Sequence, residues 1–331
     1  MKKLINDPQD VVAESVEGFV LAHRNIVERH ADPLYVARVG GAVRGKVGLV
    51  SGGGSGHEPM HTGFVGVGML DAAVPGAMFT SPNPDQVASA LQAADGGAGV
   101  LAIVKNYTGD VLNFETGAEL AEAEGVEVAT VVVADDVAVE SSTWTAGRRG
   151  VAGTVLVEKV AGAAAERCDD LAAVTAVAQR VIDNVRTMGV ALTACTVPHV
   201  GRPSFDLPAD EIEIGIGIHG EPGRRRVPMT SADAITRALL DAVADDLALA
   251  AGEKVLLLVN GMGGTPVAEL YIVYRQARAL LEARGAQVVR SLVGSYSTSL
   301  EMQGVSVSVL RLDGELLGLW DAPVHTAALR W

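Results

Sequence analysis

The sequence predicts an α/β protein of two α/β domains, the first built on a mostly parallel sheet flanked by helices and the second a smaller mixed α/β domain. Three observations carry that expectation. Runs rich in Val, Ile and Ala recur through the first half, and helical patterns separate them, as parallel strands with crossover helices require. Hydrophobic residues make up 49% of the 331 and charged residues 20%, enough apolar material for about two packed domains. Strand signals resume after a pair of consecutive helical patterns, and one later run alternates apolar and polar residues in the manner of a half-buried strand.

Taken in order, strands are predicted over 46–50, 72–74, 99–104 and 127–134, with helices over 85–94 and 112–124 between them. Asn83 is placed to cap the first of these helices, with Pro84 at its first position, where the missing N–H costs nothing. Two helices follow over 150–168 and 169–185, the first carrying the small residues 161–165 that permit close packing. A boundary near 183–189 divides the chain into domains 1–185 and 186–331. The second half reads as a strand over 190–197, a polar connection over 198–208 and the alternating strand 211–218. A helix over 231–251 and a buried strand over 254–259 come next, then a helix capped by Thr265 with Pro266 first, and strands over 288–293 and 305–312.

The net charge of −14 opposes binding to nucleic acid and to anionic membrane surfaces. No run of about 18 uncharged apolar residues reads as a membrane span. Two cysteines, Cys168 and Cys195, make neither a disulfide framework nor a metal-ligand spacing, which suits a reducing cytoplasm. The basic N-terminus lacks the apolar stretch of a secretion signal.

The most informative run is Ser51-Gly52-Gly53-Gly54-Ser55-Gly56-His57-Glu58-Pro59-Met60-His61. It follows a strand, and its glycines read as a tight turn at the C-terminal edge of a sheet, where open α/β folds hold ligands. A phosphate-cradling loop would need a Lys-Ser/Thr pair after the glycines, and none follows. His57-Glu58-Pro59-Met60-His61 formally matches a zinc motif, but that motif needs both histidines on one helical face, and Pro59 opposes this. Pro59 fits best as the first residue of a helix, with His57 in the loop before it. His57 is then either a general acid or base in a small-ligand loop, or only a cap for that helix.

A second strand end carries Lys105-Asn106-Tyr107-Thr108-Gly109-Asp110. Asp110 is a ligand carboxylate or the N-cap of the following helix. Loops after neighbouring parallel strands meet on one edge, so His57 and Asp110 can face one substrate. In the second half His219-Gly220-Glu221-Pro222-Gly223 ends the alternating strand, giving one His-Glu-Pro run in each half and pointing to a site between them. A neutral imidazole there is a candidate nucleophile for a ketone.

These runs, with Thr145-Ala146-Gly147-Arg148-Arg149-Gly150 and Trp320-Asp321-Ala322-Pro323-Val324-His325-Thr326, closely resemble dihydroxyacetone kinase, and more narrowly its K subunit, nearly end to end. The resemblance implies an α/β homodimer that holds dihydroxyacetone as a hemiaminal on His219. Asp110 then corresponds to the base that activates the substrate hydroxyl and His57 to its acid/base partner. Gly53, Gly54, Ser55 and Gly56 correspond to the substrate loop, and Lys105 to a residue beside the site. It further implies no metal or cofactor on this chain. Mg-ADP or Mg-ATP is expected on a partner L subunit, in bacterial systems often recharged by a phosphotransferase-system protein. A ketone-sensing regulatory relative is the alternative. One departure is a short connection over 224–253, which bears on the surface that faces a partner or a second copy.

Overall fold

The computed structural model describes residues 2–140 and 145–331. Helix α1 (Val11–Ala22) leads into an antiparallel hairpin, β1 (Val27–Ala31) and β2 (Leu34–Arg38). Then come β3 (Gly48–Ser55), the short β4 (Gly66–Val67), β5 (Ala72–Met78), α2 (Pro84–Ala94), β6 (Val100–Lys105), α3 (Thr108–Ala123) and β7 (Val128–Val133). These strands form a sheet in the order β1-β2-β5-β3-β6-β7, parallel from β5 to β7, with the hairpin added antiparallel at one edge. Because β3 pairs with β5 on one side and β6 on the other, the order reverses at β3, and the C-terminal end of β3 opens a crevice.

The central strands β3 and β6 are buried on both faces, so alternate side chains feed two apolar layers. Val50, Ala102 and Val104 pack with Val87, Leu91 and Phe114 of α2 and α3. Leu49, Leu101 and Ile103 pack on the other face against α4 (Thr154–Glu166) and α5 (Leu171–Asn184). Each fully buried Leu, Val or Phe contributes about 1.5–3 kcal/mol relative to exposure. The start of α2 is as the sequence predicts: Asn83 accepts from Gln86 N at 2.9 Å while Gln86 accepts from Asn83 N at 3.1 Å.

From α5 the chain passes directly into β8 (Val185–Ala191), then β9 (Glu211–Ile214), β10 (Arg225–Pro228), α6 (Ala232–Asp246), β11 (Lys254–Gly261), α7 (Val267–Ala283), β12 (Gln287–Gly294) and β13 (Gly304–Leu312). The second sheet runs β10-β9-β8-β13-β11-β12, antiparallel except for β11 with β12. One face packs on α6 and α7 through Leu239, Val243 and Leu281. The other, through Leu256, Leu258 and Leu310, enters the apolar layer that contains α4 and α5. The chain closes with α8 (Gly314–Asp321) and β14 (His325–Thr326), which pairs with β4.

Several local expectations are corrected. The first strand of the second sheet is Val185–Ala191 rather than 190–197, and the alternating run is a strand only to Ile214. Gly215, at φ 82°, leaves the extended conformation and ends it. Pro266, not Thr265, caps α7; the Thr265 hydroxyl instead donates to Gly304 O at 2.7 Å and accepts from Gly304 N at 2.8 Å, tying the helix start to β13.

Candidate functional site

The glycine run is the first surprise at the site. It is not a turn: β3 continues through Gly52, Gly53 and Gly54 to Ser55, and these residues pair with Val74, Pro75, Gly76 and Met78 of β5. The glycines are needed because neighbours press on the strand. A Cβ on Gly54 would sit 2.5 Å from Thr80 N and 2.8 Å from Phe79 Cα, and one on Gly53 would fall on Lys105 Nζ. The chain turns only at Gly56. No α-helix follows, so Pro59 does not open one; residues 58–61 form a turn, and a single 3-10 turn, Thr62–Phe64, comes next. His57 and His61 therefore do not share a helical face, the geometry on which the zinc reading depends.

A cavity of about 550 Å³ lies at the ends of β3, β5 and β6, walled by Gly54, Phe79, Tyr107, Asp110, His219 and Glu221. Asp110 is not the helix cap. Tyr107 holds that place, and Asp110 is the third residue of α3, buried at 3% exposure with Oδ2 4.0 Å from Lys105 Nζ and Oδ1 unpartnered. Lys105 is itself fully buried; it donates to Gly52 O at 3.1 Å, and its Nζ lies 2.6 Å from His61 Nε2. Burial draws the Lys105 ammonium below the usual lysine range, against the opposing pull of Asp110 and Glu158.

His57 stands behind this wall, 1% exposed, its ring stacked on Phe79 at 5.0 Å and meeting the His219 ring edge-on at 4.7 Å. Its Nδ1 lies 2.7 Å from Thr298 O. A carbonyl only accepts, so Nδ1 carries the hydrogen and Nε2, buried and unpartnered, presents a lone pair. Burial, with His219 and Lys105 nearby, holds its basicity well below the ordinary histidine range, so it is neutral.

His219 arrives from the second sheet, on the loop after β9, between the rings of Tyr107 at 4.7 Å and Phe79 at 5.2 Å. Glu221 grips it twice: Oε2 accepts from the His219 backbone N at 2.9 Å and Oε1 pairs with Nδ1 at 2.8 Å. Burial alone would raise the Glu221 carboxyl, but His219 and Arg149 overrule it and hold it at about 2. An ionised carboxylate only accepts, so a His219 hydrogen is on Nδ1, and Nε2 has no partner among the described residues.

Of the residues predicted from sequence, Gly54, Asp110 and His219 line this cavity, with His57 and Lys105 directly behind them. Gly53 and Ser55, together with Gly54, line a separate cavity of about 480 Å³, and the Ser55 hydroxyl is spent on Gly76 O at 2.7 Å. Gly56 donates to Glu58 Oε1 at 3.0 Å and lies under the Phe79 ring. The predicted set lacks Glu221, Tyr107 and Phe79. Glu221 was within reach, two residues from His219 across a glycine, and Phe79 sits at the end of a parallel strand next to β3.

A two-sheet α/β fold with its cavity at a strand-order reversal, a carboxylate on one wall and a clamped histidine on the other, has the form of a small-ligand site. The Dak1 domain model matches residues 17–328, and the chain belongs to that family, the dihydroxyacetone-binding side of the dihydroxyacetone kinases. It is 48% identical over 355 aligned positions to the DhaK subunit of the PEP-dependent dihydroxyacetone kinase of Escherichia coli, covering 100% of this chain and 99% of that one. To a DhaK subunit of a PTS-dependent dihydroxyacetone kinase of Listeria innocua it is 52% identical, covering 99% and 100%. The crystal structure of the dihydroxyacetone kinase of C. freundii superposes with a TM-score of 0.88 at 35% identity, over 98% of this chain and 60% of that one. The operon co-activator DhaQ superposes with 0.89 at 33% identity, over 98% of both. The relatives named as kinase subunits and as kinases place the chain among enzymes of phosphoryl transfer.

Proposed function

We propose that this chain is the dihydroxyacetone-binding subunit of a phosphotransferase-system-dependent dihydroxyacetone kinase, capturing the ketone on His219 and presenting its terminal hydroxyl for phosphorylation. The observation that carries the reading is the Glu221-clamped His219 and Asp110, whose Oδ1 is unpartnered, on the walls of one cavity, with the unpartnered Nε2 of His57 directly behind them. Water-filled surface grooves do not require such atoms; a polyhydroxy ketone does, because it brings one electrophilic carbon and donor hydroxyls.

In the capture step the Nε2 lone pair of His219 adds to the carbonyl carbon and the C=O π pair moves to oxygen. A proton reaches that oxygen while the Nδ1 proton leaves by way of Glu221, so that an N–H has in sum added across C=O. Glycerol has the hydroxyls but no carbonyl and is refused by chemistry rather than by fit. In the transfer step Asp110 takes the hydroxyl proton, with His57 accepting a hydrogen bond from the substrate. The alkoxide oxygen then attacks the terminal phosphoryl group of a nucleotide held by a partner L subunit, which leaves as the diphosphate. The Mg²⁺ and nucleotide belong to that partner and supply charge neutralisation there. We read the chain as a homodimer of two-domain protomers, 1–185 and 186–331, with the site at their junction. The likeness to a co-activator does not favour a sensing role, since a sensor needs the capturing histidine but not an acceptor set for proton removal.

The test is intact-mass measurement after incubation with dihydroxyacetone: one substrate mass per chain, removable by dilution, and none in His219→Ala. An adduct that persists in that variant overturns the assignment.

A further inference from the structure

Behind Lys105 lies a buried chain of polar groups that the proposed chemistry does not yet use. Glu158, on α4, has no exposed surface, and its Oε1 lies 2.5 Å from His61 Nδ1. The other ring nitrogen, Nε2, lies 2.6 Å from Lys105 Nζ, which in turn faces Asp110 Oδ2 at 4.0 Å. Four side chains from four segments thus run in line from the helix layer to the wall of the cavity.

The proton positions along this chain follow from Ser51. Its hydroxyl donates to Ile103 O at 2.7 Å, so its oxygen can only accept from His61 Nδ1, 3.1 Å away. The hydrogen of the His61 ring is therefore on Nδ1, shared between Ser51 Oγ and Glu158 Oε1, and Nε2 is left as a lone pair. Lys105 must then be the donor at 2.6 Å. With Gly52 O as its second acceptor, Nζ is held by two hydrogen bonds and faces the Asp110 carboxylate at 4.0 Å on a third side.

We propose that Glu158 and His61 are positioning residues for the proposed reaction: by fixing the tautomer of His61 they hold Lys105 Nζ against Asp110 and so place the base. This rests on Asp110 being the base of the proposed function. Glu158 acts as a hydrogen-bond acceptor and not as a charge; burial pushes its carboxyl up to about 8, so it is largely neutral at neutral pH. His61, held well below the histidine range by burial and by Lys105, is neutral too. The arrangement has the logic of a carboxyl-oriented histidine, but the histidine's product is the position of an ammonium group.

The experiment compares Glu158→Gln with Glu158→Leu, assayed with the partner subunit present. Gln keeps a neutral acceptor oxygen facing Nδ1, so its kcat should stay within about 3-fold of wild type. Leu fills the space but accepts nothing; kcat should fall by about 10- to 100-fold, the scale of a small misplacement of a reacting group, with KM and the His219 adduct unchanged. A Leu variant as active as wild type, or a Gln variant as impaired as Leu, overturns the proposal. Should Leu fail to fold, nitrogen-15 NMR of the His61 ring in the wild-type protein decides: a hydrogen on Nδ1 with bare Nε2 supports it, and a hydrogen on Nε2 overturns it. Asp110→Asn assayed alongside separates the two readings. If that variant is silent the base assignment itself fails; if it loses turnover while Glu158→Leu does not, only the positioning role fails.

Discussion

His57 and His219 stand ring to ring at 4.7 Å, and each turns an Nδ1 hydrogen to an oxygen acceptor, yet their surroundings differ. His57 belongs to the first sheet. It is sealed from solvent and bonded to a neutral carbonyl, so burial strips it of basicity and leaves an acceptor. His219 belongs to the second sheet, keeps 20% of its side chain exposed, and leans on an ionised carboxylate. In the proposed capture step that carboxylate would stabilise the positive charge the attacking imidazole acquires and take its proton away. The lesson is that the partner of the far nitrogen, more than the position of the ring, sets a histidine's chemistry. Under the proposed function the first-sheet side moves a proton and the second-sheet side holds a carbon.

The largest expected effect tests that division from the proton side. Asp110→Asn keeps the shape and cannot serve as a base, so kcat with the partner should fall about 10²–10⁴-fold while the His219 adduct still forms. The alternative role weighed from sequence, a helix cap, would make this variant nearly silent; Tyr107 already occupies the cap position. Loss of the adduct together with kcat would merge the two sides and break the comparison.

A smaller effect is expected from the carbon side. Glu221→Gln must turn an amide NH₂ toward either the His219 backbone N–H or its Nδ1–H, so one of the two bonds at 2.8–2.9 Å is lost together with the charge. Hydrogen bonds to charged groups contribute about 1.5–3 kcal/mol, so the ketone should be held about 10- to 100-fold more weakly, read by adduct titration in intact-mass spectra. At saturating ketone kcat should barely change. A normal adduct affinity would mean that the clamp on His219 is structural only.

Much of this was legible in the sequence because parallel α/β folds gather chemistry at strand ends. The strand at residues 99–104 needed only periodicity to be placed, and α2 with its Asn83-Pro84 start needed only capping rules; Asp110, read into the loop after that strand, sits instead in the first turn of α3. The hairpin β1–β2 was not, because Val27–Ala31 is a five-residue edge strand holding Glu28, Arg29 and His30, with no apolar alternation to report it. The glycine run misled for a physical reason. Glycine permits turns, but it also permits crowding, and here a strand uses it to lie against Lys105 and the chain at Phe79. The end of the alternating run misled likewise, since Ile216 and Ile218 are buried among Tyr107, Val151 and Met262 without being strand. Glu158 and His61 could not have been paired in advance, being 97 residues apart and joined only by the packing of α4 on β3.

The subtlest prediction concerns stability, where two buried glutamates should act in opposite pH windows. Glu221 is held at about 2 against an ordinary value of 4.5. A depressed carboxyl contributes stability that is fully present above 4.5 and is lost as pH falls through 4.5 toward 2. Glu158 is pushed by burial from 4.5 to about 8, so the sign reverses. Below 4.5 it is protonated in both folded and unfolded chains and costs nothing; as pH rises from 4.5 toward 8 the unfolded chain ionises first, and stability declines across that window. Each effect has a ceiling of about 1.4 kcal/mol per pH unit. In a chain of this length 1 kcal/mol moves Tm by about 1–2 °C, so the slopes are small but measurable. Glu221→Gln should flatten the fall in Tm on the acid side between about pH 4.5 and 2 and leave the neutral range as in wild type. Glu158→Gln should flatten the decline between about pH 4.5 and 8 and leave the acid side alone. Melting curves of the two variants across pH therefore read the electrostatics of each wall separately and without substrate. If both variants altered the same window, the two walls would share one charge environment, and the contrast between a proton-moving side and a carbon-holding side would have to be abandoned.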